Sequence, residues 1–337
     1  MFDFLDLKIK NFSLAINEFA LRLVKIKTGK KSFSVASFGE LELKSGIIKD
    51  GVVQDEPGLT DAIKQIRGKV KGEKLKTKYV VVSLPEEESF SQVIQMPKMN
   101  QDELRMAISL EAESYIPIPM DKVYFDFKII APIKDGTDHL DVLIVAMSQK
   151  IVDSYISCIK RAGLIPVAIE IESQGIARAL IKNETSDYPI ILIDFNEDRP
   201  NFIIFSGNSV RFASSASFSS EEESAGGSNK NTKIGAVERL TGQIEKYTDF
   251  YKSHASHEHI PNDSTVKKVI LCGGGRDLKK IANSIAKDME IEAEAGDPFI
   301  NFPKNRRGSV EIPDPSQFTT ALGLSLRDFP NQKKNHD

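Results

Sequence analysis

The sequence predicts a two-domain α/β protein in which one structural plan is used twice. Three observations predict it. A chain of 337 residues exceeds what one hydrophobic core usually holds. Each half opens on a meander of alternating strands, continues into a helix and returns to a strand, which suggests a duplicated fold with a cleft between the halves. The stretch VILCGGGRDLKKIANSIA, residues 269–286, reads as a buried strand, a glycine turn and a helix. The repeat is one of plan, since no letter-by-letter repeat is visible.

Composition narrows the class. With 40% hydrophobic and 28% charged residues the chain is an ordinary soluble globular protein, and its net charge of −3 gives no reason to expect nucleic acid or an anionic membrane as partner. No run approaches the roughly 20 apolar residues of a membrane span. The opening MFDFLDLKIKNF mixes charges with apolar residues and has no small-residue cleavage site, so a cytoplasmic protein is expected. Cys158 and Cys272 are expected as buried small hydrophobes, because nothing in their spacing suggests a metal or redox pair.

In the first half, FSLAIN, ALRLVKIK, SFSVASFG and LELKSGII alternate apolar and polar residues, with turn signals at Gly29 and Gly39. A helix carrying Leu59, Ile63 and Ile66 follows, then the strand Tyr79–Leu84. In MPKMNQDELRMAISLEAESYIPIP, Asn100 caps a helix with Glu103 as its capping-box partner. Leu104, Ala107, Ile108, Glu111 and Tyr115 share one expected face, and Pro117 and Pro119 end the helix. Strands are expected at Val123–Ile130 and His139–Met147, then a helix from Lys150 to Ala162 closed by Gly163.

The second half repeats the plan with strands at Pro189–Asp194, Asn201–Phe205 and Ser209–Phe212. A long helix over 234–251 carries Ile234, Val237, Leu240, Ile244, Tyr247 and Phe250 at steps of three and four. Between them residues 214–233, rich in Ser and Glu with almost no apolar side chain, read as a mobile loop.

Several chemistries find no support. His254, His257 and His259 in SHASHEHI have only Glu258 nearby as a further ligand type, and read as a solvated loop. The run KGEKLKTK is interrupted by an acid and reads as solvated rather than as a nucleic-acid patch. Glu111 and Glu113 are two apart on a helix and cannot face one bond as a glycosidase pair. The turn Gly273-Gly274-Gly275 admits two readings: a backbone bared for a nucleotide, or a turn packed tightly for the fold.

Taken together, VVVSLP, QMPKMNQDELRMAISLEAESYIPIPMDKVYFDF, VLIVAMSQKIVDSYISCIKRAGLIPVAIEIESQGIARAL, ILIDF, LTGQIEKYTDFYKSH, VILCGGG and FTTALGLSLR resemble the PilM family of type IV pilus assembly proteins. These segments span roughly residues 12–328, and the helix ending in Glu-Ala-Glu-x-Tyr-Ile-Pro-x-Pro is the most specific of them. The resemblance implies an actin-like (FtsA-like) ATPase fold of two domains with a small inserted α/β subdomain. On that plan residues 1–85 begin the first domain, 86–165 are the insert, 166–330 form the second domain and 331–337 are a polar tail.

The resemblance further implies a non-catalytic cytoplasmic scaffold at the inner face of the membrane. It would hold the short N-terminal tail of a PilN-like inner-membrane protein among other pilus platform proteins, with self-association left open. For the nucleotide it implies a cleft containing Gly273, Gly274, Gly275, Asp194 and Arg22, open to ATP or ADP with Mg²⁺. The first phosphate loop departs from the family: Ala15 stands where its Asp belongs and Asn17 where its glycine belongs, while Glu18 adds negative charge facing the phosphates. In the second loop Asn196 replaces the glycine and Glu197, Asp198 and Pro200 are added. Hydrolysis is therefore not expected. Val123, Tyr124, Phe125 and Phe127 are expected to line a peptide groove between the insert and the first domain. The competing classes are a working actin-like ATPase, against which Ala15 speaks, and an FtsA-like membrane-tethered filament protein, for which the tail Pro330–Asp337 offers no apolar face.

Overall fold

The computed structural model describes residues 10–28, 33–130, 139–196, 199–216, 231–255, 265–304 and 308–328. The first half begins with an antiparallel meander of β1 (Phe12–Ile16), β2 (Ala20–Thr28) and β3 (Phe33–Glu42). The small hairpin β4 (Ile48–Lys49) and β5 (Val52–Val53) leads into α1 (Glu56–Gly68), where the Asp55 carboxylate caps the first turn by accepting from the Gly58 amide at 3.0 Å. The two-residue β6 (Lys71–Gly72) borders β3, and β7 (Tyr79–Leu84) returns parallel to β1.

The chain then builds a separate three-stranded sheet. It consists of β8 (Ser89–Pro97), β9 (Val123–Ile130) and β10 (His139–Ser148), with β10 in the middle, covered by α2 (Gln101–Tyr115). After α3 (Gln149–Arg161) the first sheet resumes with β11 (Ile165–Ile171), parallel to β7, and α4 (Glu172–Leu180) follows at once. The second half carries β12 (Ser186–Phe195), β13 (Asn201–Gly207), β14 (Ser209–Ser215), α5 (Asn231–Ala255), β15 (Lys268–Gly273), α6 (Leu278–Met289), β16 (Glu292–Ala295) and α7 (Thr319–Ser325).

The strand orders are β11-β7-β1-β2-β3-β6 and β14-β13-β12-β15-β16. In both, a meander runs from one side to the centre and two parallel strands extend the other side. The duplicated plan is thus explicit in the topology.

Each half lends a helix to the other. α4 leaves the first sheet and buries Ile176, Ala177 and Leu180 against Leu192, Phe205 and Ile270 of the second. α7 ends the second half and buries Ala321, Leu322 and Leu324 against Ala15, Val24 and Val81 of the first. The Ser13 hydroxyl donates to the Ala321 carbonyl at 2.6 Å, fixing α7 on β1. The two helices touch backbone to backbone: a Cβ on Gly323 would lie 1.8 Å from the Gly175 carbonyl oxygen. Only glycine fits there.

Several expectations are corrected. Gly39 is not at a turn but inside β3, where a Cβ would already touch Val70 and Ile66 at 3.4 and 3.5 Å. The insert ends near Ser148, not at 165, because α3 buries Tyr155, Cys158 and Ile159 in the same core as α1, and β11 pairs with β7. The first half also takes back α7, so it does not end where the chain first leaves it. On α2 the buried face is Leu104, Ile108 and Ala112, while Glu111 and Tyr115 are exposed. On α5, Tyr251 completes the buried stripe where Phe250 was expected; Phe250 is 41% exposed and leans on the Phe212 ring. The segment expected as a mobile loop lies, over 217–230, outside the described residues, as do Gly29, His257 and His259.

Gly323→Ala should cost stability at or above the upper end of the usual overpacking range of about 1–3 kcal/mol, because the obstacle is backbone and cannot swing aside. Gly242→Ala is the control: nothing lies within 4 Å of a Cβ in that exposed turn of α5, and a gain of about 0.5–1 kcal/mol is expected. Urea denaturation of the two variants measures both effects.

Candidate functional site

Among the described residues, two concavities on this frame hold residues nominated from the sequence. The first is a polar cleft of about 650 Å³ between the halves, at the carboxyl ends of β1, β11, β12 and β15. Residues nominated from the sequence, Arg22, Asp194, Gly273, Gly274 and Gly275, all line it. So do Ala15, Asn17, Asn196 and Glu172.

Their hydrogen bonds show what the cleft can accept. The Asn17 side-chain carbonyl accepts from the Phe19 and Ala20 amides at 3.0 and 2.8 Å, occupying donors a phosphate would need. Its amide nitrogen donates to the Asn196 Oδ1 at 3.1 Å, and Asn196 in turn donates to Asp194 at 3.1 Å. The two residues standing at the expected loop glycines therefore bond to each other across the cleft. Arg22 donates to the Glu40 carboxylate at 2.8 Å and to the Gln317 side-chain Oε1 at 3.2 Å. A phosphate group does not fit this arrangement without displacing protein contacts.

Glu18 departs from expectation. Its carboxylate accepts from the Asp50 amide at 3.1 Å and so lies toward the β4–β5 turn, away from the cleft lining. Asp50 also pairs with Arg199 of the second half, and that guanidinium holds the Asp50 carboxyl below its ordinary range. Glu197 and Asp198 lie outside the described residues.

The glycine turn has a packing reason of its own. Gly273 has φ +96°, and a Cβ there would lie 2.3 Å from the Phe195 carbonyl oxygen. Beside it, a Cβ on Gly274 would lie 2.5 Å from the Gln317 side chain, whereas Gly275, φ +75°, faces open space. Tight packing thus accounts for the first two glycines, and the third keeps a bare backbone on the cleft.

Buried carboxylates are what the sequence reading missed. Glu172 and Glu86 are 2% and 4% exposed. Glu86 accepts from the Ser173 amide and hydroxyl at 3.0 and 3.1 Å, yet burial pushes its carboxyl up to about 7. Glu172 accepts from Asn201 at 3.3 Å and is pushed well above the usual range by burial, then by the charges of Glu87, Asp194 and Glu86. Asp194 is raised by burial as well. A signal was available: Glu172 follows directly on β11 and Glu86 stands two residues after its parallel neighbour β7, at the end where α/β sheets place their ligands.

The second concavity is an apolar groove of about 310 Å³ where the inserted sheet meets the first half. Val145 and Met147 of β10 face Ile156 of α3 and Ile169 and Ile171 of β11 across it. Tyr124 and Phe125 border it, and the Tyr124 hydroxyl donates to Asp153 at 3.2 Å. Val123 and Phe127 do not line it. Odd-numbered positions of β9 turn toward α2, so Val123 is buried in the insert core and Phe127 packs on that core beneath the Arg105 guanidinium. β9 is the outer strand of its sheet, and its register with β10 runs unbroken from Val123 to Ile130.

Two sheets of one plan, exchanged helices and a cleft between them define an actin-like fold. The solved PilM–PilN type IV pilus biogenesis complex is similar, with a TM-score of 0.75 at 19% identity over 95% of this chain and 98% of that one. MreB 5 of Spiroplasma citri, solved with AMPPNP, is similar at a TM-score of 0.50 and 10% identity, over 95% and 96% of the two chains. The family model for the type IV pilus assembly protein PilM matches residues 13–234, more than half of the sequence. This chain belongs to that family. No helix among the described residues is long and apolar enough to cross a membrane.

The buried acids predict a pH dependence. A carboxyl raised from 4.5 to about 7 stays protonated in the folded chain while it ionises in the unfolded one. Glu86 therefore favours folding least above pH 7, and stability should fall as pH rises from about 4.5 to 7. Glu86→Gln should flatten that slope and raise stability at pH 8 by up to about 3 kcal/mol, read from denaturation midpoints at the two ends of the window.

Proposed function

We propose that this chain is a non-catalytic scaffold on the cytoplasmic side of the type IV pilus assembly platform, holding the short N-terminal tail of a PilN-like inner-membrane protein. The observation that carries this reading is the groove beside β9: an apolar trough bordered by an outer strand with regular register. An extended segment can hydrogen-bond to such an edge while alternate side chains enter the trough. Likeness to the PilM–PilN complex supports the choice of partner. Membrane association then comes through the tail and needs no anchor in this chain.

The cleft, on this reading, is a degenerate nucleotide site. Ala15 removes the acid that would organise hydrated Mg²⁺, and the Asn17–Asn196 bond occupies the space between the phosphate loops. ATP or ADP binds weakly or not at all, and no hydrolytic step is assigned to the chain.

Purified protein should release phosphate from ATP far below the median enzyme turnover of about 10 per second. Turnover near that rate, abolished by Asp194→Ala, would overturn the reading. A synthetic copy of the N-terminal tail of a PilN-like protein from the same organism should bind with a Kd near micromolar, about −8 kcal/mol, with or without nucleotide. Tyr124→Ala should weaken that binding about tenfold without unfolding the chain, since Tyr124 is 48% exposed. Calorimetry that detects no heat of binding, or equal affinity for the variant, counts against the groove.

A further inference from the structure

The inserted sheet is fastened at both ends of its central strand, to different halves of the molecule. Near its carboxyl end, Val145, Ala146 and Met147 of β10 form one wall of the groove against the first half. Near its amino end, Asp141 of the same strand pairs with Arg211 of β14 in the second half, Oδ2 to Nη1 at 3.1 Å. Both side chains are fully buried, at 0% exposure. Arg211 is held from behind as well, its Nε donating to the Ser206 carbonyl at 3.2 Å within the β13–β14 hairpin. His139 stands 3.6 Å from the other Asp141 oxygen and is joined by Gln95 of β8 at 3.3 Å. A charge pair so enclosed cannot be parted cheaply, because either partner would be left buried without its counter-charge.

β10 is also stiff along the span between the two attachments. It pairs with β8 from His139 to Met147 and with β9 from Asp141 to Ser148, with no register shift in either ladder. From Asp141 to Val145 is roughly 13 Å at about 3.3 Å per residue.

We propose that Arg211 is a positioning residue for the groove: by gripping Asp141 it seats the inserted sheet on the second half, and thereby fixes the distance of the Val145–Met147 wall from α3 and β11. The groove's width then depends on how the two halves are disposed. A tail in the groove and a change at the cleft are linked through one strand. The ligand in this argument rests on the groove reading above; the linkage through β10 does not.

The test compares wild type with the double variant Asp141→Leu/Arg211→Met, which removes both buried charges at similar volume and is expected to fold with a similar melting temperature. Hydrogen exchange is followed in peptides covering 143–147 and 209–213, and the synthetic PilN-like tail is titrated into both proteins. The expected result is exchange faster by tenfold or more in both segments and a tail Kd raised at least fivefold at unchanged melting temperature. Wild-type protection in 143–147 in the folded double variant overturns the proposal, as does a tail Kd equal to wild type. If wild type itself binds no tail the groove reading fails, while the exchange comparison still decides the linkage. Should the double variant not fold, Arg211→Lys, which keeps the charge but not the two-point hold, replaces it with the same two readouts.

Discussion

Everything described depends on the contact between α4 and α7. Each helix is made by one half and buried by the other, and the two meet where Gly175 and Gly323 let their backbones touch. A side chain at Gly323 would force the helices apart and loosen the apolar cover that each sheet receives from across the molecule, and one at Gly175 would press on the Thr320 carbonyl at 3.1 Å. The cleft exists because this crossing holds the carboxyl ends of the two sheets face to face, and Glu172 enters it because α4 starts there. The crossing is braced at its rim, where Arg178 reaches both Glu170 and the Gly323 carbonyl.

Within that frame the cleft also serves as an internal joint between the halves. Its polar groups are satisfied mostly by one another: Asn17 by Asn196, Asn196 by Asp194, Arg22 by Glu40 and Gln317. These bonds join the two halves directly. The joint also stores cost, since carboxyls such as Glu172 are buried with little positive charge close by. The groove is made differently. It is lined mostly by apolar side chains, with Tyr124, Asp126 and Glu170 among them, and is bordered by the outer strand β9.

Periodicity made most elements legible. Strands such as Tyr79–Leu84 and Val123–Ile130 and the Asn100-capped helix follow from alternation, apolar runs and a cap whose hydrogen bond to Glu103 is present at 2.9 Å. What could not be read was allegiance. Nothing local in Ile165–Ile171 says that it rejoins a sheet left some eighty residues earlier, nor in Thr319–Ser325 that it covers the first half. The same gap affected the groove: alternation along the strand drew attention to Val123 and Phe127, but α2 lies on their side of β9, and helix placement is a tertiary fact. The cleft residues could be nominated because the family resemblance and the glycine turn point to them. For Glu86 and Glu172 the signal was only their place after a parallel pair of strands, and a glutamate in sequence does not announce that it will be buried.

The irregularity between Pro166 and Ala168 gives β11 a meaning that its pairing alone does not. β11 and β9 are both outer strands, but one is interrupted by a bulge and a proline that offers no N–H, whereas the other is regular along its whole length. The chain has spoiled one border and kept the other intact. A regular border is open to any extended polypeptide, including a second copy of the same chain. A tail bound there, as proposed, would therefore also guard the molecule against sticking to itself.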